Sequence, residues 1–519
     1  MAKRVSGAIL AATIALATGV GISGQQQSDR VRQLSTVFPE IDRLFSAFAE
    51  RGHVPGITYG ILIDGQLVHT GRAGVRELTS KTPITDETVF RIASMTKSFT
   101  ALCILKLRDE GKLALDDAAE KYVPELATLK YPTSDSPKLT LRHLMSHATG
   151  FPEDNPWGDQ QLAVSEAEFT KMLTAGIPFS TSPGTNYEYS NYGFAILGRV
   201  VSRVSGMPYA RYVTDNILKP LGMTSTTLDA HAVPGDRLAH GYRWEDNQWK
   251  EEPPLPDGAF GSMGGMLTST RDLGRYVAFL MSAWPARDGA DSGPVKRSSL
   301  REMQQVQRTR PATAFVGVDG AGLRLDSGGY GYGLGIRQTC DYRAVVSHTG
   351  GLPGFGSEMR WLPDEGVGFI SMGSLTYTGV GGVLDQATAV LARTGALTRR
   401  QPVPSAALLA AKEDVTNLIT RWDDAVADRV AAMNLFIDSD KPHRRAQLDR
   451  YREQYGVCRA SDGIDAENAL RGQWTMRCER GALRVTITLA PTMPPKIQYL
   501  NVTPLPPAAA EATARGCGQ

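Results

Sequence analysis

Strand-like patterns occupy two stretches far apart in this chain, and that separation limits the folds open to it more than any other feature. The early stretch begins with Gly56-Ile57-Thr58-Tyr59-Gly60-Ile61-Leu62-Ile63 and continues through residues 66–73. Asp64-Gly65 separates the two runs, a dipeptide suited to a two-residue hairpin. The pattern then lapses until Tyr330 and returns at residues 331–337, 344–348, 356–362 and 367–372. Between them, helical spacings recur at residues 94–110, 141–146, 193–204 and 270–284, divided by loops rich in Pro and Gly. A lone hairpin is marginal in water, so the early strands need partners. The expected fold class is α+β: an antiparallel sheet begun early and completed late by the chain, flanked by helices and carrying a helical insertion. Helices at 35–51, with Phe38, Ile41, Leu44, Phe45 and Phe48 on one face, and at 382–393 would flank that sheet.

This unit, expected over residues 35–398, does not account for the whole chain. Arg399-Arg400-Gln401-Pro402-Val403-Pro404 reads as a linker. Beyond it come two helical stretches, 412–436 and 444–455, and then Leu483, Val485, Ile487 and Leu489 alternate with polar residues as in a half-buried strand. A small α+β domain is expected over 405–503, whose element order resembles the nuclear-transport-factor-2-like or cystatin-like folds, followed by a disordered tail at 504–519. At the other end, Lys3 and Arg4 precede an uncharged stretch whose apolar heart is Ile9 to Ala17, with small residues after it. That pattern fits a secretory signal, taken as residues 1–28, and implies an exported protein, periplasmic or secreted, with no stable membrane insertion beyond the signal. The balance of 56 basic against 54 acidic residues, with no block of one sign, argues against a nucleic-acid partner. Five cysteines are too few and scattered for a disulfide scaffold or a zinc site. Cys103 reads as a buried small hydrophobe, and export would allow Cys458 and Cys478 to pair.

Three short patterns carry the chemistry. In Ser94-Met95-Thr96-Lys97 the spacing puts both side chains on one helix face, so the lysine amine reaches the serine hydroxyl and can activate it. This pair opens an otherwise apolar helix, where a lysine facing inward needs a reason. In Tyr189-Ser190-Asn191 a phenol near that lysine could relay protons, and Asn191 offers a donor and an acceptor to an amide-like substrate. The third pattern is His348-Thr349-Gly350, expected to finish a strand, with Gly351 next; small residues there let a substrate lie along the strand edge. Backbone N–H groups of Ser94 and Gly351 could form an oxyanion hole. Tyr499-Leu500-Asn501 and His69-Thr70-Gly71 repeat two of these patterns elsewhere and are read as chance copies.

Taken in order, Ser-x-x-Lys, Tyr-x-Asn and His-Thr-Gly resemble the serine β-lactamase-related hydrolases, in the branch of class C β-lactamases, D-alanyl-D-alanine carboxypeptidases, D-aminopeptidases and esterases. The likeness runs from about Val54 to Leu391 and includes Phe90-Arg91-Ile92-Ala93, the segment from Leu141 to Gly150, Gly264-Gly265-Met266-Leu267-Thr268-Ser269, and His348 to Phe355. It implies a β-lactamase/transpeptidase-like sheet, with the site between sheet and helical domain. It implies Ser94 as nucleophile, Lys97 as its activator and Tyr189 as proton shuttle, with either Lys97 or Tyr189 as first base. Asn191, His348, Thr349 and Gly350 would bind substrate, and Ser94 and Gly351 would supply the oxyanion donors. The expected reaction is acyl-enzyme hydrolysis of a small amide, ester or peptide, with no cofactor and no metal; the alternatives are a penicillin-binding sensor that acylates without turnover, or an acyltransferase. Many relatives carry lysine where His348 stands, so the clamp on a substrate carboxylate should be weaker here, favouring peptidase or esterase work over β-lactam turnover. His143 and His147 find no third metal ligand. Trp157 would line the substrate mouth or pack in its loop.

Overall fold

Asp64 and Gly65 adopt φ of 49° and 80°, the left-handed pair that a two-residue hairpin demands. They join β1 (Gly56–Ile63) to β2 (Gln66–Glu77) in a computed structural model that describes residues 24–316, 323–400, 402–461 and 463–505. Short β3 (Thr82–Pro83) pairs with β2 on its outer side. The rest of the sheet comes from far along the chain: β4 (Arg308–Val316), β5 (Leu323–Tyr330), β6 (Gly335–Thr339), β7 (Val345–Leu352), β8 (Phe355–Leu362) and β9 (Val367–Gly373). The spatial order is β3-β2-β1-β9-β8-β7-β6-β5-β4, every pairing antiparallel. β1 meets β9 from Ile57↔Gly373 to Ile63↔Val367, so the last strand closes the seam left open by the first.

Two departures from expectation bear on the site. β7 does not stop at Gly350: Pro353-Gly354 turns the chain into β8, with Gly354 at φ 86°, and the pairing runs through Leu352↔Phe355. His348 to Gly351 therefore lie inside a paired strand. β4 and β5 were not foreseen, and β6 begins at Gly335 rather than 331. Pro311 within β4 and Gly328-Gly329 within β5 dilute the strand signal in sequence.

Helices cover the sheet. α1 (Phe38–Arg51) buries Phe38, Ile41, Phe45 and Ala49, with Phe45 stacked on Tyr59 of β1 at 3.8 Å between ring centroids. α2 (Thr96–Asp109) buries every residue from Thr96 to Leu105, polar and apolar alike, as in a helix enclosed by the fold on all sides. Cys103 is fully buried within it. α3 (Asn191–Ser205), α4 (Thr270–Met281) and α5 (Gly381–Arg393) complete the set used below. No helix among the described residues is long and apolar enough to cross a membrane.

The chain divides into two compact units, one built on Gln33–Arg400 and one on Gln401–Ala508. The break falls where Arg400 N–H bonds the Asp364 carbonyl at 2.7 Å, inside the expected linker. The second unit has helices Ala406–Thr420, Asp424–Val430, Leu435–Asp438 and Lys441–Tyr455, then a five-stranded antiparallel sheet. The stretch 412–436 is thus not one helix: Asp423 caps a new helix by accepting from Val426 N–H at 3.0 Å. Leu483, Val485, Ile487 and Leu489 all point into this unit's core. Cys458 and Cys478 sit opposite each other on paired strands and form a disulfide. The strand Ile497–Pro504 includes Pro504, where the tail was expected to begin. Residues 506–519 of that tail and residues 1–23 of the signal lie outside the described residues.

Candidate active site

Ser94 stands at a backbone corner. Ala93, which has a side chain, adopts φ 47° before the tight turn Ala93–Met95 that feeds α2. A non-glycine residue in this region costs about 1–3 kcal/mol and persists only when its surroundings over-determine it. Thr96 Oγ1 donates to the Ala93 carbonyl at 2.7 Å, Ile92 N–H donates to the Met266 carbonyl at 3.0 Å, and Ser357 Oγ donates to the Ile92 carbonyl at 3.1 Å. Ser94 thus belongs to a short turn ahead of the α-helix, held from several directions.

One turn on, Lys97 is fully buried. Its Nζ lies 3.0 Å from Ser94 Oγ, 2.6 Å from Asn191 Oδ1 and 2.8 Å from the Met263 carbonyl. Burial lowers its pKa from 10.5 to about 7, while the Asp159 and Asp154 carboxylates oppose the shift. At neutral pH a large share of Lys97 is therefore a neutral amine with two hydrogens and one lone pair. The two carbonyl oxygens can only accept, so they take both hydrogens. The lone pair is left facing the Ser94 hydroxyl.

Tyr189 and Asn191 are placed by the start of α3. Asp154 receives the N–H groups of Asn191 and Tyr192 at 2.6 and 2.8 Å, and Ser190 Oγ caps Gly193 N–H at 3.0 Å. Those caps fix the residues on either side of Ser190. The Tyr189 hydroxyl hydrogen-bonds with Ser94, and Lys97 Nζ is 4.9 Å from its ring centroid. Burial pushes the phenol well above its usual range, so it stays protonated. The three side chains expected to meet do so. Asn191, however, is fully buried: Oδ1 is given to Lys97 and Nδ2 donates to Asn155 Oδ1 at 3.3 Å. It holds the lysine, and Asn155 lines the cavity in its stead.

That cavity, about 770 Å³, is lined by Ser94 and Tyr189 on one side and by His348, Thr349, Gly350 and Gly351 of β7 on the other. Thr349 is exposed within it. A Cβ on Gly350 would fall 2.1 Å from the Ile92 carbonyl oxygen, so only glycine lets β7 approach the nucleophile turn this closely. Tyr377 roofs Gly351, since a Cβ there would meet its ring at 2.7 Å, and its hydroxyl donates to Asp159 at 2.9 Å. His348 is buried, with Nδ1 2.6 Å from the Thr349 carbonyl and Nε2 2.8 Å from the Tyr330 hydroxyl. A carbonyl can only accept, so Nδ1 carries the proton and Nε2 accepts from Tyr330. Burial and nearby Lys97 lower its pKa to about 3. The imidazole is neutral and both nitrogens are occupied.

Sequence reasoning missed Asn155, Tyr187, Arg310, Tyr330 and Tyr377 as lining residues, and the Met263 carbonyl as a lysine acceptor. A backbone oxygen leaves no signal in side-chain patterns, whereas Tyr187, two residues before Tyr189, was open to notice. The other candidates are not among the residues lining the cavity. His69 of β2 bonds Asp42 of α1 at 2.8 Å, and His143 Nδ1 accepts from Thr140 N–H in a helix cap. His147 packs against Tyr189 at 4.2 Å, and its Nδ1 accepts from Ser190 N–H. Trp157 stacks on Tyr192 away from the cavity.

Comparisons with known proteins show the family and the fold. A family model described as Beta-lactamase matches residues 41–393. Protein flp of Staphylococcus aureus (strain COL) is 27% identical over 338 residues, which is 65% of this chain and 63% of that protein. This chain thus spans about three fifths of that relative's length. Penicillin-binding protein 4* of Bacillus subtilis (strain 168) is 25% identical over 62% of this chain and 68% of its own. The solved structure of the octameric penicillin-binding protein homologue from Pyrococcus abyssi is 21% identical and covers 87% of this chain and 96% of that one, with a TM-score of 0.59. At that identity the likeness speaks for the fold alone.

Proposed function

Because the chain belongs to the β-lactamase family of serine hydrolases, we propose that it is an exported hydrolase forming an acyl-enzyme on Ser94 with small amide or ester substrates. D-amino-acid peptides or amides and esters are the preferred donors in this reading, with β-lactams turned over less well. The observation that carries it is the placement of Lys97, whose amine has two carbonyl acceptors for its hydrogens and Ser94 Oγ for its lone pair. Export rests on the Lys3-Arg4 head and the apolar run behind it.

In the proposed sequence, Ser94 Oγ bonds to the substrate carbonyl carbon as its proton passes to Lys97 Nζ. The carbonyl oxygen takes the negative charge and accepts from the N–H groups of Ser94 and Gly351, each donor worth about 3–4 kcal/mol in such sites. The bond to the leaving nitrogen or oxygen then breaks, and the departing pair takes the Tyr189 hydroxyl proton. The Lys97 ammonium reprotonates the phenolate. Water repeats the attack on the acyl-enzyme, yielding a proton to the same pair, and Ser94 is restored. This reading takes Lys97 as the first base, supported by its pKa lowered to about 7 while that of Tyr189 is pushed up. Lysine accepts the serine proton and tyrosine serves the leaving group. Neutral, fully bonded His348 supports weaker β-lactam turnover, since it offers a β-lactam carboxylate neither charge nor a free donor.

A fluorophosphonate probe and a fluorescent penicillin, followed by intact mass over time, test the reading. Wild type should be labelled at Ser94 and Ser94→Ala should not. Turnover of an ester or D-amino-acid amide marks a hydrolase even where the penicilloyl adduct persists, and a persistent adduct with no such turnover marks a sensor that acylates and stalls. An added amine or alcohol diverting the acyl group would mark a transferase. Absence of any Ser94 adduct would refute the proposal.

A further inference from the structure

Tyr377, in the connection from β9 to α5, holds a backbone conformation that a side chain disfavours, with φ at 52°. Such a residue persists where its surroundings fix it, and backbone bonds do so here. Thr376 N–H donates to the Tyr242 carbonyl at 2.8 Å, Tyr377 N–H to the Phe355 carbonyl at 3.1 Å and Thr378 N–H to the Leu375 carbonyl at 3.1 Å. The Tyr377 side chain is half exposed and lines the cavity, with its ring in the space that Gly351 leaves open.

Its hydroxyl reaches a second segment. It donates at 2.9 Å to Asp159, which is 2% exposed and directly follows the helical turn Asn155–Gly158. Gly158 lets that turn sit against the lysine's partner, since a Cβ there would fall 2.6 Å from the Asn191 Cβ. Asp159 Oδ1 has no hydrogen-bond partner among the described residues, so the Tyr377 hydroxyl is the single donor to a buried carboxylate. An acid desolvated in this way holds its one donor firmly.

This bridge marks one end of the cavity. At the other, the rings of Tyr187, Tyr189, Tyr330 and His348 pack on one another. Gly351 lies three residues along β7 from His348, about 10 Å at the usual strand rise. In the reaction proposed above the leaving group takes the Tyr189 proton and so occupies the ring-lined end. The acyl half then runs toward Asn155 and Tyr377. We propose that Tyr377, anchored by Asp159, is a specificity-determining residue that closes the acyl end of the cavity, making short acyl groups the preferred donors. The inference rests on the Ser94 reading, and it narrows the substrate class of that same site. Asp159 acts through Tyr377 and is a positioning residue.

The test compares p-nitrophenyl acetate with p-nitrophenyl octanoate, which share a leaving group. Wild type should favour the acetate in kcat/KM. Burying a methylene is worth about fourfold, and the space of a phenol ring takes about two or three of them, so Tyr377→Ala should raise the octanoate-to-acetate ratio about 15- to 60-fold. Tyr377→Phe and Asp159→Leu, which break the bridge and keep a ring, should each raise it less. Asp159→Asn keeps a carbonyl acceptor and should stay close to wild type. A merely structural role would change both esters alike and leave the ratio unmoved. Wild type that hydrolyses the octanoate as well as the acetate, or a ratio unchanged in Tyr377→Ala, overturns the proposal. Wild-type ratios in both Tyr377→Phe and Asp159→Leu overturn the part given to Asp159. Fluorophosphonate labelling of each protein separates the failures: labelled Ser94 with an unchanged ratio sinks Tyr377 alone, and unlabelled wild-type Ser94 sinks the underlying reading with it.

Discussion

Replacing Asn191 by leucine should move the acid limb of acylation to lower pH. Asn191 Oδ1 is the closest of the three oxygens around Lys97 Nζ, at 2.6 Å. A hydrogen bond to a charged group contributes about 1.5–3 kcal/mol and one to a neutral group about 0.5–1.5 kcal/mol. Losing the acceptor therefore harms the ammonium more than the amine, by about 1–1.5 kcal/mol. At 1.36 kcal/mol per unit this lowers the Lys97 pKa by roughly one unit. Acylation requires the neutral amine, so the wild-type rate should fall below a midpoint of about 7, and that of Asn191→Leu below about 6. The plateau should also drop at least about tenfold, because one of the two oxygens orienting the lone pair is gone. Stopped-flow acylation by a p-nitrophenyl ester between pH 5 and 9 reads both effects. A limb that stays in place or moves upward would refute the argument that Asn191 serves the lysine.

Three further outcomes follow from the same geometry. Lys97 has a folded pKa of about 7 against an ordinary 10.5, so the unfolded chain binds the extra proton between those values and stability should rise with pH across that window. Urea titrations should show the rise in wild type and a smaller one in inactive Lys97→Met. Tyr189→Phe should slow turnover of a D-amino-acid amide by about 100- to 10,000-fold but that of a p-nitrophenyl ester much less, since only the poor leaving group needs the phenol proton. Comparable losses on both substrates would contradict its role. Gly350→Ala should destabilise the first unit by about 1–3 kcal/mol and slow Ser94 labelling, because the new methyl meets the Ile92 carbonyl at 2.1 Å. Wild-type stability and labelling in that variant would count against the close approach of β7.

Much of this was legible in the sequence because periodicity and punctuation carry it. Asp64-Gly65 marks the first hairpin, the apolar run after Ser94 marks a buried helix, and the late strands announce the other half of the sheet. The meeting of Ser94, Lys97 and Tyr189 was legible only through the order of three short patterns, two of which have a chance copy elsewhere in the chain. What escaped was of another kind. β4 and β5 are strands interrupted by Pro311, Gly328 and Gly329, residues that weaken the pattern in sequence. Asn191 looked like a substrate ligand because its amide offers both a donor and an acceptor. The capping of α3 by Asp154 and Ser190 turns it inward instead, and capping partners distant in sequence are not visible from spacing. The Met263 carbonyl is backbone, and no residue type betrays it.

The account stands on Lys97 being an amine rather than an ammonium at working pH. Labelling the lysine ε-carbons with carbon-13 and following their shifts by NMR, with Lys97→Met identifying the resonance, measures this directly. A single signal with a midpoint near 7 is the expected result. A Lys97 resonance that stays in its protonated position up to pH 10 would leave Ser94 without a base and contradict the mechanism.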